Sequence, residues 1–205
     1  NHETSGLLYL DLSIAGLETL DRESFKNLKK LIYLDLTGNL INYIQPGTFK
    51  NLPAVKTLKL NLNSIESLKS HSFHGLVSLQ RLEMIECGIK IIESDVFRGL
   101  PKLQILDLSK NKLQVLERNA FSCKTLKELK LEYNILHKID RSAFSGLRYL
   151  KSLSSTVISQ HTTVNKFEIK YRDVVQVRIT TSIAFRLESN SNLQLFNADP
   201  ETFVN

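Results

Sequence analysis

Few side chains in this sequence have types and spacings that support chemistry. His71 and His74 are three residues apart, a spacing that two zinc ligands can have, but no third ligand accompanies them. The chain has no glycine-rich phosphate loop and no G-x-S-x-G nucleophile motif. The other histidines, His2, His137 and His161, lie far apart along the chain. The sequence therefore predicts no enzyme, no metal site and no cofactor, and it leaves recognition by surface residues as the expected chemistry.

The elements that would position such a surface come from a repeat in which phenylalanine returns every 24 residues. It does so at Phe25, Phe49, Phe73 and Phe97 and, after one missing residue, at Phe121 and Phe144. Six units share the frame L-x-x-L-x-L-x-x-N-x-L-x-x-L-x-x-x-x-F-x-x-L, and they span 7–30, 31–54, 55–78, 79–102, 103–125 and 126–149. A unit this small cannot bury its own apolar face, so neighbouring units must stack on one another.

Each unit is expected to begin with a short strand, because its first, fourth and sixth positions are apolar in all six units. The L-x-L alternation points every second side chain inward, as in a strand with one buried face. Successive strands would then form a parallel sheet with a spacing of about 4.8 Å. The phenylalanines would close the opposite side of the stack.

The ninth position of the frame is predicted to be a structural ladder at the turn after each strand. It holds Asn39, Asn63, Cys87, Asn111 and Asn134. An Asn amide supplies both a donor and an acceptor for backbone groups that the turn leaves unpaired. Ala15 stands there in the first unit and cannot do so, which predicts a looser unit or one covered from outside. Cys87 and Cys123 both fall at buried positions and are predicted to be free thiols.

On these motifs, residues 7–149 resemble the typical 24-residue leucine-rich repeat, and the Phe series is similar to that of extracellular members such as Toll-like receptor ectodomains. The resemblance implies an α/β solenoid, a horseshoe with a parallel β-sheet on the concave face and loops or short helices on the convex face. It also implies a non-enzymatic recognition module of an innate-immune signalling receptor, extracellular or at the cell surface. The alternatives are a matrix or adhesion protein, and an intracellular adaptor or substrate-recognition arm.

The strand positions that are not leucine should face the concave side and bind a protein ligand or co-receptor. The predicted partner-binding residues are Leu8, Tyr9, Asp11, Ile32, Tyr33, Asp35, Lys59, Arg81, Glu83, Lys130 and Tyr133. Stacking in register would bring Tyr9 beside Tyr33, and Tyr is a frequent interface anchor. Two alternatives stay open: Tyr is also a common strand residue, and the charges from Arg81 onward could form a self-neutralising solvated face.

The repeat pattern degrades over residues 150–205, which are predicted to be divergent or irregular repeats. Leu150 and Leu153 begin a seventh unit, but Ser155 takes its third strand position. A hairpin insertion over 167–179 is the alternative. The last six residues, PETFVN, match the segment PGTFKN of the second unit, which predicts that the chain is part of a longer, truncated array.

Composition and net charge limit the kinds of partner and the cellular location that we expect for the chain. The net charge is +6, and residues 103–149 carry 9 basic against 5 acidic groups, which suits either an acidic partner or a solvated Lys-rich face. Basic and aromatic residues do not interleave, so no specific nucleic acid is inferred. No apolar stretch approaches the ~20 residues of a membrane span, so membrane contact is expected only through other parts of the parent protein. None of the 15 Asn residues lies in an Asn-x-Ser/Thr sequon, which weighs against secretion.

Overall fold

The dominant element is a long parallel sheet to which each repeat contributes one strand. The computed structural model describes residues 6–140 and 142–157, with side chains through residue 155, and the backbone of strands at 176–180 and 194–196. The strands of these residues are β1 (Tyr9–Asp11), β2 (Tyr33–Asp35), β3 (Thr57–Lys59), β4 (Ser67–Leu68), β5 (Arg81–Glu83), β6 (Ile91–Ile92), β7 (Ile105–Asp107), β8 (Val115–Leu116), β9 (Glu128–Leu136), β10 (Lys138–Ile139), β11 (Ser152–Val157), β12 (Gln176–Thr180) and β13 (Gln194–Phe196).

Nine of these strands form one sheet in the order β1-β2-β3-β5-β7-β9-β11-β12-β13, and every neighbouring pair is parallel. The register aligns equivalent repeat positions, as in the pairing of Leu34 with Leu58 and of Leu58 with Leu82. The predicted leucine-rich-repeat solenoid is thereby confirmed, with about six turns and little helix. The convex segments of the described residues are turns, interrupted by two small sheets, β4 with β6 and β8 with β10. That part of the chain contains no helix long and apolar enough to cross a bilayer.

The core lies between the sheet and the convex turns and runs the length of the stack. Strand leucines such as Leu34, Leu58 and Leu82 have no exposed surface. Behind them the six phenylalanines stack face to face, with successive ring centroids 5.6 to 6.4 Å apart. Phe49, Phe73, Phe97 and Phe121 each stack on a ring of the unit before and of the unit after, so the burial that stabilises one unit depends on its neighbours.

The first unit is less buried than the others. Leu7 is 36% exposed, and Leu10, Leu12 and Leu17 are only partly buried, whereas Leu31 is fully buried. The physical reason is that β1 is the first strand of the sheet and pairs only with β2. This edge position accounts for the exposure whatever residue stands at position 15, so the looser first unit expected from Ala15 stays a prediction.

The sheet continues past the regular repeats. β11 pairs in parallel with β9, which places Leu153 opposite Leu129 and Ser155 opposite Leu131. Ser155 is buried, and its hydroxyl has no hydrogen-bond partner among the described residues. Most of the alternative hairpin at 167–179 lies outside those residues, although its end, from Gln176, belongs to a strand parallel to β11. The division of 150–205 into divergent repeats stays a prediction.

Candidate functional site

The most distinctive surface of the sheet lies at its N-terminal end, and we call it the tyrosine patch: Leu8, Tyr9, Asp11, Ile32, Tyr33, Asp35 and Lys59. The strands turn Leu10 and Leu34 toward the core, so the residues on either side of each leucine face outward. Parallel register pairs Tyr9 with Tyr33, and their ring centroids lie 6.2 Å apart. Tyr9 is 66% exposed and Leu8 is 42% exposed. The patch therefore offers aromatic and apolar surface to a ligand.

Asp35 holds the inner half of this patch together. It accepts hydrogen bonds from the Tyr33 hydroxyl at 2.8 Å and from the Thr37 amide at 3.0 Å. The Lys59 ammonium lies 3.6 Å from the same carboxylate and 5.5 Å from the centroid of the Tyr33 ring. Because Asp35 is only 8% exposed, its role is to fix Tyr33 and Lys59 more than to touch a partner itself. One carboxylate oxygen of Asp11 accepts a hydrogen bond from the Ser13 amide in the equivalent turn of the first unit.

These contacts favour the charged forms of both Asp35 and Lys59. Burial tends to raise the pKa of Asp35, but hydrogen bonds from Thr37 and Tyr33 and the charge of Lys59 outweigh it and lower the pKa. The pKa of Lys59 is raised, chiefly by its hydrogen bond with Tyr33. The carboxylate and the ammonium are therefore both charged at neutral pH, and they hold Tyr33 in one orientation.

The remaining predicted residues, Arg81, Glu83, Lys130 and Tyr133, lie farther along the sheet. β9 is five strand positions from β1, or roughly 24 Å at the usual spacing, so one compact site cannot include both Tyr133 and Tyr9. Arg81 pairs with Glu83, and Lys130 lies 3.7 Å from Asp107. These internal ion pairs support the interpretation as a self-neutralising face. Tyr133, 71% exposed, is the large surface residue of this group.

The asparagine ladder joins each turn to the one before it. Asn111 shows the pattern: its side-chain oxygen accepts the amides of Cys87 and Ile89, and its nitrogen donates to the carbonyls of Met84 and Leu108. Asn39 repeats this pattern in full. Asn63 and Asn134 each accept one amide and donate to the carbonyls of two successive turns. In the fourth unit the Cys87 thiol donates to the Leu60 carbonyl at 3.0 Å. The ladder is thus a structural device that supports the concave face from beneath.

Histidine and cysteine residues have no active-site arrangement in the described part of the chain. His71 and His74 line a convex-side cavity of about 460 Å³ together with Asp95. The described residues include no group of three His, Cys, Asp or Glu side chains placed to hold a metal ion. Cys87 and Cys123 are free and buried, as predicted. Burial raises the pKa of Cys87 to about 11, so its thiol stays protonated.

A second feature of the surface is a cavity of about 510 Å³ beside the fifth unit, lined in part by Lys102, Thr125, Lys127 and Tyr149. Lys102, Thr125 and Tyr149 are not among the predicted site residues, because that prediction rests on strand positions and these three residues precede the strands. The one feature of the sequence that points to this cavity is the residue missing from the fifth unit.

Sequence comparison decides the family. A profile described as a BspA type leucine rich repeat region matches residues 42–171 in six copies, and a second leucine rich repeat profile matches residues 5–55. The chain belongs to the leucine-rich repeat family. No curated protein sequence matches this leucine-rich repeat chain at a significant level.

Solved structures place this leucine-rich repeat chain among known solenoids. A chain of the TLR13–ssRNA13 complex is 27% identical with a TM-score of 0.72, and the match covers 87% of this chain and 26% of that one. A chain of the mouse RP105/MD-1 complex is 24% identical with a TM-score of 0.72, covering 86% and 31%. Internalin C2 of Listeria monocytogenes is 20% identical with a TM-score of 0.63, covering 98% and 79%. The last two similarities show the fold alone. The chain spans between a quarter and a third of the length of the first two.

Proposed function

We propose that this chain is a non-enzymatic recognition module that binds a protein or other macromolecular ligand within an extracellular receptor of the Toll-like kind. Two findings support the proposal: leucine-rich repeat proteins of this group are typically binding modules, and the chain is similar to one crystallised with a macromolecular ligand. The observation that carries the proposal is the tyrosine patch, with Tyr9 exposed beside a fixed Tyr33.

The tyrosine patch is suited to protein recognition because half of it is already ordered. Asp35 and Lys59 hold the ring of Tyr33, so a ligand that packs on it loses little side-chain entropy on binding. Tyr9 and Leu8 add exposed apolar surface next to that fixed ring. Apolar and aromatic residues at the centre with charges around them are typical of interface hot spots.

Two other settings use the same kind of surface, namely a matrix or adhesion protein and an intracellular adaptor or substrate-recognition arm. The parent reading frame distinguishes them. A membrane-spanning helix followed by a cytoplasmic signalling domain would support the receptor proposal, whereas a reading frame that encodes neither would reject it.

The binding proposal is tested with the chain displayed as a bivalent fusion and applied to an array of purified secreted proteins and ectodomains. For each binder, the dissociation constant of the monomeric chain is measured by surface plasmon resonance. The double variant Tyr9→Ala/Tyr33→Ala should weaken binding by about 30-fold or more, since two hot-spot residues contribute at least ~2 kcal/mol.

Tyr43→Ala is the matched control, because Tyr43 is also an exposed tyrosine but lies outside the concave strands. It should leave the affinity within about twofold. An array without binders, or an equal affinity of the double variant and the wild type, would reject the patch as the recognition surface.

A further inference from the structure

The cavity beside the fifth unit forms where the repeat loses a residue. Between its Phe and the first Leu of the next strand, the fifth unit has four residues, 122–125, whereas the fourth and sixth units have five, 98–102 and 145–149. The phenylalanine stack does not absorb this change, because Phe121 lies 6.0 Å from Phe97 and 5.6 Å from Phe144. The missing residue therefore shortens residues 122–125, the segment that leads back into the sheet.

Thr125 is half-buried at that position and lines the cavity between segments that are one residue longer. Its hydroxyl donates to the Leu103 carbonyl at 2.8 Å, which ties it to the preceding turn. Lys102 and Tyr149, which end the fourth and sixth units, line the cavity on either side, and both are exposed. The volume of about 510 Å³ is within the range of ~300–1,000 Å³ that ligand pockets have.

The cavity is strongly basic. Three lysines line it, Lys102, Lys127 and Lys151, and none has a carboxylate partner among the described residues. Lys130, by contrast, lies in the neighbouring sheet surface and is paired with Asp107 and Glu128. The one polar contact of the three ammonium groups in that part of the chain runs from Lys127 to the side-chain oxygen of Gln104 at 3.0 Å. Three unpaired positive charges around one cavity favour an anionic ligand.

We propose that this cavity binds a sulfated or phosphorylated saccharide. Lysine binds sulfate and phosphate groups as a point charge, and the three cationic residues that line the cavity are all lysines. Gln80 and Gln104 add amide groups that can bond sugar hydroxyls, and the Tyr149 ring offers an apolar face for a sugar ring. Single-stranded nucleic acid is less well matched, because it needs several stacking platforms and the cavity has one aromatic ring. The proposal does not depend on the tyrosine patch.

The chain itself provides a matched control. Lys102 is the last residue of the fourth unit and Lys127 the second residue of the sixth; Lys30 and Lys56 hold the same places in the first and third units. Lys30 and Lys56 are also exposed and outside the cavity, and no residue is missing between them. Lys102→Gln/Lys127→Gln and Lys30→Gln/Lys56→Gln therefore change the net charge equally, but only the first pair changes the cavity.

The test measures binding of a sulfated heparin-derived hexasaccharide by isothermal titration calorimetry at physiological salt. The cavity pair should weaken binding at least tenfold, because each lost charge-assisted contact contributes a factor of about ten. The control pair should change it less than twofold, Tyr149→Ala should weaken it several-fold, and the desulfated hexasaccharide should not bind. Circular dichroism checks that these exposed-site variants are folded.

Other results would overturn the proposal. Equal weakening by both lysine pairs would mean general attraction to a basic protein rather than a site. Tighter competition by a single-stranded oligonucleotide or a Glu-rich peptide would assign the cavity to that ligand class instead. Tyr9→Ala/Tyr33→Ala should leave hexasaccharide binding unchanged, so failure of the tyrosine patch and failure of the cavity are separately measurable.

Discussion

Replacing Asn111 by Ala should be among the most destabilising single changes in the concave half of the solenoid. Asn111 is 5% exposed, and its side-chain oxygen accepts the amides of Cys87 and Ile89 at 3.0 Å each. Its nitrogen donates to the carbonyls of Met84 at 2.7 Å and Leu108 at 2.9 Å. Alanine removes these four bonds, together with a longer one to the Ser109 carbonyl at 3.2 Å, and cannot replace any of them.

The magnitude follows from the groups left without partners. Two buried amides cost about 1–3 kcal/mol each when they lose their acceptor, and the two carbonyls lose a donor. We expect the free energy of unfolding to fall by about 3–5 kcal/mol, which is a large part of the ~5–15 kcal/mol typical of a folded domain. Cys87→Ala should cost only about 1 kcal/mol, because the thiol at the same repeat position makes only weak bonds, to the carbonyls of Leu60 and Ile85.

Urea denaturation followed by circular dichroism measures these differences as changes in the midpoint at constant slope. Asn42→Ala is the control, since Asn42 is exposed and lies outside the ladder; it should stay within about 0.5 kcal/mol of the wild type. A loss of less than about 1 kcal/mol for Asn111→Ala, or one equal to that of Asn42→Ala, would refute the conclusion that the ladder satisfies otherwise unpaired backbone groups.

Two further predictions concern the core. Phe97→Ala should cost about 3–5 kcal/mol by urea denaturation, and more than Phe25→Ala, because Phe97 stacks on two rings and Phe25 on one; equal costs would contradict the stack. Burial raises the pKa of Cys87 from 9.0 to about 11, so between these pH values the folded chain keeps a proton that the unfolded chain loses. The free energy of unfolding should therefore fall as the pH rises from about 9 to 11, by roughly 3 kcal/mol in total. Cys87→Ala should lack this contribution to the pH dependence, and parallel profiles of stability against pH for the variant and the wild type would contradict the prediction.

The sequence predicted the fold because one periodic pattern controls both burial and register. An apolar residue at the first, fourth and sixth positions defines the inward face of each strand, and a constant period aligns each strand with the next. The proximity of Tyr9 and Tyr33 follows from the same period, since they are 24 residues apart and the sheet pairs equivalent positions. The free cysteines follow from their places in the buried frame.

The sequence could not give the roles of the outward-facing charges. Asp35 and Lys59 look alike in the pattern, as two members of one ladder, but Asp35 is nearly buried beneath Tyr33 and Lys59 spans the ring and the carboxylate. Whether a charge is free or paired depends on side-chain positions in three neighbouring strands. No single repeat contains that information.

The sequence by itself thus determined the solenoid, the inward leucines, the asparagine ladder and the neighbours along the sheet, because each depends on a spacing that recurs in every unit. The tertiary structure decided which surface charges pair, how exposed Tyr9 and Tyr133 are, and that a single missing residue is absorbed beside Thr125 rather than in the phenylalanine stack. Those outcomes depend on packing between units, where a change in one turn is accommodated by contacts with the next.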